Sequence, residues 1–166
     1  MRDALARLPL PVAIVGAASG GERSCSTGTL TYVSFEPPLV ATPLAAASRT
    51  CRLLRESGEF SLSLLAAGQA ELAVRAAAPS DGDKFAEQSI PVLAAPAGAA
   101  APAVDGAATV LWCALESVTE AGRYLLCVGR VTAAATGAGE PLLRFERRYR
   151  ALGADVPVAE EAPYPL

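Results

Sequence analysis

The sequence predicts a mainly β protein: a closed or partly closed antiparallel β-barrel with peripheral helices. Three observations carry that expectation. Strand-like segments outnumber helical ones. Several are long and joined by hairpin-like turns. The two helical patterns of useful length are short, and both interrupt the first half of the chain.

The elements follow in order. Residues 3–8 suit one or two helical turns, stopped by Pro9 and Pro11. Residues 11–18 read as a short buried strand, with 18–21 as its turn. Residues 23–35 are rich in Ser, Thr, Tyr and Val and predict one long strand. Gly28 and the β-branched and hydroxylated residues argue against a helix there. Pro37 and Pro38 end it, because proline cannot donate to a ladder. Residues 39–46 resume as a strand. Residues 48–57 predict a helix capped by Ser48 or Thr50, with Leu53 and Leu54 facing inward and Gly58 as the stop. EFSLSLL at 59–65 alternates apolar and polar, the clearest half-buried strand in the chain. Residues 68–78, with Leu72 and Val74, predict a second helix, and 79–83 (PSDGD) a loop. Residues 94–108 are almost only Ala, Pro and Gly and predict an irregular surface loop. Two long strands, 108–118 and 124–135, are joined by a turn over 119–123. A turn at 137–140 and a last strand at 141–145 complete a single domain over residues 1–152. A Pro-rich, poorly ordered tail follows at 153–166.

At 166 residues the chain can build a core without disulfides. It is 52% hydrophobic, with 36 alanines and a mean hydropathy of +0.33, which excludes a disordered chain. Asp3, Arg7 and two prolines break up the N-terminal apolar stretch, so it reads as mature sequence of a cytoplasmic protein. No apolar run of about 18 uncharged residues exists to form a membrane-spanning helix. The net charge is −3, with one lysine and thirteen scattered arginines, which argues against a nucleic-acid or anionic-membrane partner. There is no histidine, which excludes Ser-His-Asp and Cys-His hydrolases and histidine-ligated metals. Cys25, Cys51, Cys113 and Cys127 form no C-x-x-C pair, so no metal site is expected, and they read as packed free thiols. An enzyme of this composition would rely on a cofactor for its chemistry.

Four stretches carry candidate chemistry, each with a plainer alternative. In Ser24-Cys25-Ser26-Thr27-Gly28-Thr29, strand alternation puts Ser26 and Gly28 on one face and Thr27 and Thr29 on the other. Small hydroxylated residues around a glycine let a flat polar ligand approach the backbone; the alternative is a solvent-facing strand with a glycine bulge. Ser48-Arg49-Thr50 opens a helix, where free amides, two hydroxyls and a guanidinium suit a phosphate. The alternative is a capped helix with a solvated arginine. Asp83-Lys84-Phe85 holds the one lysine, or else a loop ion pair with Phe85 as an anchor. Arg123-Tyr124 is a cationic or stacking contact, or a solvated turn. Arg144, Arg147, Arg148 and Arg150 read as a solvated basic face or as salt bridges at a dimer edge.

These stretches occur in an order that resembles the flavin reductase-like family, the FMN-binding split-barrel proteins, over roughly residues 8–152. The most specific stretch is TYVSFEPPLVATPLAAASRTCRLL at 31–54, similar to the family's S-V-S-x-[DE]-P-P-L segment, its apolar strand and its [SR]-x-T turn before a leucine-rich helix. EFSLSLLAAGQAELA at 59–73, Asp83-Lys84-Phe85, Val128-Gly129-Arg130-Val131 and Glu140-Pro141-Leu142-Leu143 resemble the pieces that follow. The resemblance implies a Greek-key FMN-binding split barrel and a homodimer with FMN near the subunit interface. It implies that Ser26, Thr27, Gly28 and Thr29 line the flavin ring and ribityl chain, that Ser48, Arg49 and Thr50 hold the phosphate, and that Lys84 and Phe85 belong to the same site. The implied activity is hydride transfer from NADH or NADPH to FMN or FAD, with the reduced flavin passed to a partner monooxygenase. The alternative is a split barrel that binds flavin or another flat ligand without reductase activity, in an accessory or biosynthetic role.

Two departures stand out. The family's G-M-T-x-[NS]-S is replaced by Ser24–Thr29, and the G-D-H of its long hairpin by Gly122-Arg123-Tyr124. The second bears on nicotinamide use more than on flavin binding. Two further expectations are quantitative. Arg49→Ala should weaken FMN by about 1.5–3 kcal/mol, the scale of one charged hydrogen bond, and leave riboflavin almost untouched. Residues 109–115 are apolar on both strand faces, and the surplus is expected to be buried in a homodimer.

Overall fold

The architecture is that of a computed structural model describing residues 1–155; most of the expected tail, residues 156–166, lies outside the described residues. Helix α1 (Arg2–Ala6) leads into β1 (Leu10–Pro11), β2 (Ala13–Ser19), β3 (Glu22–Gly28), β4 (Thr31–Ser34) and β5 (Leu39–Ala45). Then come α2 (Arg49–Ser57), β6 (Glu59–Leu64), α3 (Ala70–Ala77), α4 (Lys84–Glu87), and the short β7 (Val92–Leu93) and β8 (Ala103–Val104). The long hairpin β9 (Thr109–Ala121) and β10 (Tyr124–Thr136) is followed by β11 (Leu143–Phe145) and β12 (Arg148–Arg150).

Seven strands form one antiparallel sheet in the order β3-β2-β6-β9-β10-β5-β4. The two edge strands, β3 and β4, are separated in sequence by Thr29 and Leu30 alone. Three Cα–Cα steps cover at most about 11 Å. The sheet must therefore curl until its edges nearly meet. Thr42 Oγ1 on β5 donates to the Thr29 carbonyl (2.8 Å) across that seam, and no ladder joins β3 to β5 among the described residues. The result is a barrel split along one side, the expected architecture.

The predicted single strand over 23–35 is thus two strands belonging to opposite edges. Strand propensity runs unbroken through Thr29 and Leu30, and only closure of the sheet decides where the ladder stops. Helix α2 matches its prediction: Ser48 Oγ accepts from the Cys51 amide (3.1 Å), and Gly58 ends the helix at φ 72°. Its buried Leu53 and Leu54 join Val15, Leu44, Phe60, Leu62 and Cys127 in the barrel core. A second core, with Ile14, Cys25, Leu65, Leu72 and Phe85, lies where α3 and α4 cover β2 and β3. Burial on both faces of β2 explains its unbroken apolar run.

Residues 94–108 are not simply a surface loop. Their second half is a strap with Ala101, Ala103, Val104 and Ala107 buried. Ser61 Oγ donates to the Pro102 carbonyl (2.6 Å), Ser63 Oγ accepts from the Val104 amide (2.9 Å), and Trp112 Nε1 donates to the Ala101 carbonyl (3.1 Å). Val110 and Trp112 pack beneath the strap, while Leu111, Cys113 and Leu115 turn to the barrel core. The apolar surplus of residues 109–115 is therefore covered within the chain. The hairpin turn is tighter than predicted: Ala121 pairs with Tyr124, leaving Gly122 and Arg123 as the two-residue loop. After β11 the chain reverses again through Glu146 and Arg147, both at positive φ, into β12. Contacts from α1 hold that turn: the Glu146 amide donates to the Ala6 carbonyl (2.7 Å), and Arg147 Nη2 to Asp3 (2.8 Å).

Candidate functional site

Two contiguous cavities open along the seam of the barrel. The first, about 380 Å3, is lined by Leu10, Pro11, Val12, Thr27, Gly28, Thr29, Pro43, Tyr124, Arg144 and Tyr149. The second, about 480 Å3, includes Ser24, Ser26, Ser48, Arg49, Thr50 and Lys84, with residues 76–81 as one wall. Thr27, Pro43 and Tyr124 border both. Each volume falls in the roughly 300–1,000 Å3 range of small-molecule sites. The first is mainly apolar, and the second mixes hydroxyls, two cations and Asp81 with alanine, leucine and proline side chains.

The first cavity has two features that the packing of the protein does not account for. Thr29 Oγ1 is buried and has no hydrogen-bond partner among the described residues. A Cβ added to Gly28 would meet nothing nearer than 3.8 Å, so its neighbours do not require glycine there. The missing side chain leaves backbone exposed to whatever fills the cavity. Strand alternation on β3 holds as predicted. Ser24 and Ser26 reach α2, where Ser26 Oγ donates to Thr50 Oγ1 (2.9 Å) and Ser24 Oγ lies 3.1 Å from the same oxygen. Thr27 Oγ1 points the other way and donates to the Ala73 carbonyl on α3.

Of the two readings of Ser48-Arg49-Thr50, the structure shows the capped helix, without the solvated arginine. Ser48 caps α2, and Thr50, 1% exposed, ties α2 to β3. With the Cys51 amide capped by the Ser48 side chain and the Arg52 amide donating to the Ser48 carbonyl (3.1 Å), the amides of Arg49 and Thr50 are those a helix start leaves open. They face a cavity suited to an anion. Arg49 lines that cavity but is not solvated. Its Nε and Nη2 donate to Glu22 Oε2 (3.1 and 2.9 Å), and its Nη1 to the carbonyls of Asp81 (2.9 Å) and Gly82. Arg52 Nη2 donates to the same Glu22 oxygen (2.8 Å). The Arg49 and then the Arg52 hydrogen bonds hold the Glu22 carboxyl below the usual carboxylate range.

Asp83-Lys84-Phe85 divides between its two readings. Asp83 caps α4 and pairs with Arg23. Lys84 lines the second cavity while donating from Nζ to the Ala76 carbonyl (3.1 Å). Phe85 lies elsewhere: it is 1% exposed in the second core, absent from both cavity walls, and anchors Lys84 from below. Of the hairpin pair, Tyr124 borders both cavities, whereas Arg123 contributes its carbonyl to the Ala46 amide. No local sequence signal points to Leu10, Pro11 and Val12, which reach the cavity because β1 pairs with β11. Arg144, read from sequence as part of a basic face, lines the cavity with its guanidinium 5.9 Å from the Tyr149 ring centroid.

A family model described as "Flavin reductase like domain" matches residues 5–153. The chain belongs to the flavin reductase-like family. Among similar flavin reductase-like proteins is the reductase component of 4-hydroxyphenylacetate 3-monooxygenase from Thermus thermophilus, 33% identical over 91% of this chain and 94% of that one. The actinorhodin polyketide dimerase of Streptomyces coelicolor is 32% identical over 92% of this chain and 85% of its own. The NADH:FAD oxidoreductase of Streptomyces globisporus, solved in complex with NAD and FAD fragments, superposes with a TM-score of 0.84 at 27% identity, covering 94% and 93% of the two chains. The cavities of this flavin reductase-like chain fit a flavin mononucleotide in kind. One is mainly apolar and has Thr29 in its wall; the other, bordering it, has the start of α2, hydroxyls and two cations in its wall.

Proposed function

We propose that this chain is an NADH- or NADPH-dependent flavin reductase that reduces FMN, or FAD, and supplies the reduced flavin to a partner monooxygenase. The observation that carries the reading is the bipartite cavity at the seam, with the Thr29 hydroxyl unpaired at its apolar end and the α2 N-terminus at its polar end. Bound FMN supplies the hydride-accepting N5 of its ring system, so the protein's task is placement and electrostatics. In this reading Gly28 would let a flavin ring approach the β3 backbone, Thr29 would offer its hydroxyl to the ring's polar edge, and Leu10, Pro11 and Val12 would exclude water. Arg144, the cation in the lining of the first cavity, would answer negative charge developing on the ring, a role for which the chain has no histidine. Ser48, the amides of Arg49 and Thr50, and Lys84 receive the phosphate.

The folded unit in this reading is residues 1–152, acting in the cytoplasm as a homodimer. Tyr124 and Leu126, 44% and 37% exposed, alternate on the outer face of β10 beside the first cavity. They form an apolar margin that a second copy would cover, closing the nicotinamide side of the site. Oxidation of NADH and NADPH by the purified protein, with and without FMN, tests the activity. A flavin-stimulated rate is expected with at least one nucleotide, and none with either overturns the proposal.

A second reading rests on the 32% identity to a polyketide dimerase and on Gly122-Arg123-Tyr124 in the long hairpin. In it the same cavity binds flavin for a biosynthetic step without free nicotinamide turnover. Flavin binding in titration with no NAD(P)H oxidation favours that reading over the first.

A further inference from the structure

Both cations that line the polar cavity already donate to the protein itself: among the described residues Lys84 uses one of its three N–H donors, and Arg49 four of its five. Lys84 Nζ is held by the Ala76 carbonyl. Arg49 is held on two sides: Nε and Nη2 by Glu22, Nη1 by the carbonyls of Asp81 and Gly82. A guanidinium has five N–H donors, and these contacts leave only one of them, on Nη2, for a ligand. Glu22 itself is on β3, two residues before Ser24 and outside the cavity lining, and its carboxylate sets negative charge against the Arg49 guanidinium that lines the cavity. A phosphate dianion entering the cavity must draw Arg49 away from Glu22 or bind beside a carboxylate that repels it. The hydroxyls of Ser24, Ser26 and Thr50 are likewise engaged with one another.

We propose that Glu22 is an internal competitor for the phosphate end of FMN: by holding Arg49 it keeps the flavin exchangeable, so that flavin is turned over as a substrate rather than retained as a prosthetic group. The inference rests on the flavin reading of the cavity given above. Glu22 acts through Arg49 and is a positioning residue; it makes no contact with the ring. The ion pair also explains why Arg49 is well placed without being free. Glu22, itself held by Arg52, fixes the guanidinium at the cavity edge, and Arg49 in turn holds the loop through the Asp81 and Gly82 carbonyls. Release of the flavin then restores the same ion pair, so the ligand-free state is itself stabilised.

The test is equilibrium titration of FMN and riboflavin against four proteins: wild type, Glu22→Gln, Arg49→Ala and the double variant. Glu22→Gln preserves shape on a partly exposed side chain, and far-UV circular dichroism checks that each protein is folded. The expected result is that Glu22→Gln tightens FMN about fivefold, the scale of one partly exposed ion pair, and leaves riboflavin within about twofold. In the Arg49→Ala background the same substitution should change FMN by less than about twofold, because its effect runs through Arg49. The proposal is overturned if Glu22→Gln leaves FMN unchanged or weakens it, if it tightens riboflavin equally, or if its effect persists without Arg49. Tight FMN binding with no effect of Glu22→Gln removes this inference and leaves the flavin reading standing. Absence of FMN and riboflavin binding in all four proteins removes both.

Discussion

Thr29 carries a buried hydroxyl with no partner among the described residues, so its value to the fold and its value to a ligand separate. Thr29→Val removes the hydroxyl and keeps the shape. Thermal stability should be unchanged or slightly higher, because no internal hydrogen bond is lost. FMN and riboflavin should both weaken by about 1 kcal/mol, since both carry the ring; equal affinity for wild type and variant would remove Thr29 from the site. Arg49 behaves differently. Its guanidinium is shared with Glu22 and two loop carbonyls, so Arg49→Ala should cost FMN only about 1 kcal/mol, below the value expected for a free arginine. Riboflavin should be unaffected, and the pair of titrations checks it. The four cysteines are buried, and burial pushes Cys25 and Cys113 up to about 12 and Cys127 up to about 11. A thiol reagent should find no reactive cysteine in the native protein and four after denaturation.

At the scale of elements, the strap over β6 and β9 and the loop over the polar cavity lie outside the main sheet and are held to it by side chains. Gly16 on β2 is where the strap approaches most closely: a Cβ there would fall 2.0 Å from the Pro102 carbonyl oxygen and 2.7 Å from Ser61 Oγ. Backbone cannot yield as a side-chain tip can, so Gly16→Ala should destabilise the protein by about 1–3 kcal/mol, read as a lowered Tm. A Tm within one degree or so of wild type would mean that the strap does not press on β2. The loop at 79–83 is held by Arg49 through its carbonyls and by Arg23 through Asp83. Burial raises the Asp83 pKa, but the Arg23 ion pair and the Ala86 and Phe85 amides outweigh it, and the net shift is downward. A lowered folded-state pKa stabilises above the unfolded value, near 3.9, and that stabilisation disappears as pH falls through the folded value. Glu22 has the same sign. Below about pH 4, hydrogen exchange should therefore open the 79–83 loop before the β9–β10 hairpin.

At the scale of the molecule, assembly and function meet at the seam. The original ground for a dimer, surplus apolar surface on residues 109–115, is met within the chain by the strap. The remaining ground is the exposed Tyr124 and Leu126 beside the ring cavity. Light scattering after size exclusion should give twice the 16.9 kDa chain mass. Tyr124→Glu should shift the mass toward a monomer and lower reductase activity with it. A stable monomer that retains full activity would show that one chain completes the site.

The sequence by itself determined the strand-rich class, the cap and stop of α2, the alternation of Ser24, Ser26 and Thr27 on β3, and the placing of Ser48–Thr50 at a helix start. Each is a local property: hydrophobic period, capping chemistry and glycine stops act over a few residues. The order of motifs along the chain carried the family. Tertiary structure alone decided the rest. Closure of the sheet split residues 23–35 between two edges and opened a cavity at the break. An Ala-rich strap became buried because β6 and β9 offered it serines and a tryptophan. Phe85 went to the core, Arg144 and Leu10 came to the site, and Glu22 met Arg49 across 27 positions of sequence. Those pairings depend on which strands close against which, and no periodicity within one segment encodes contacts so far apart along the chain.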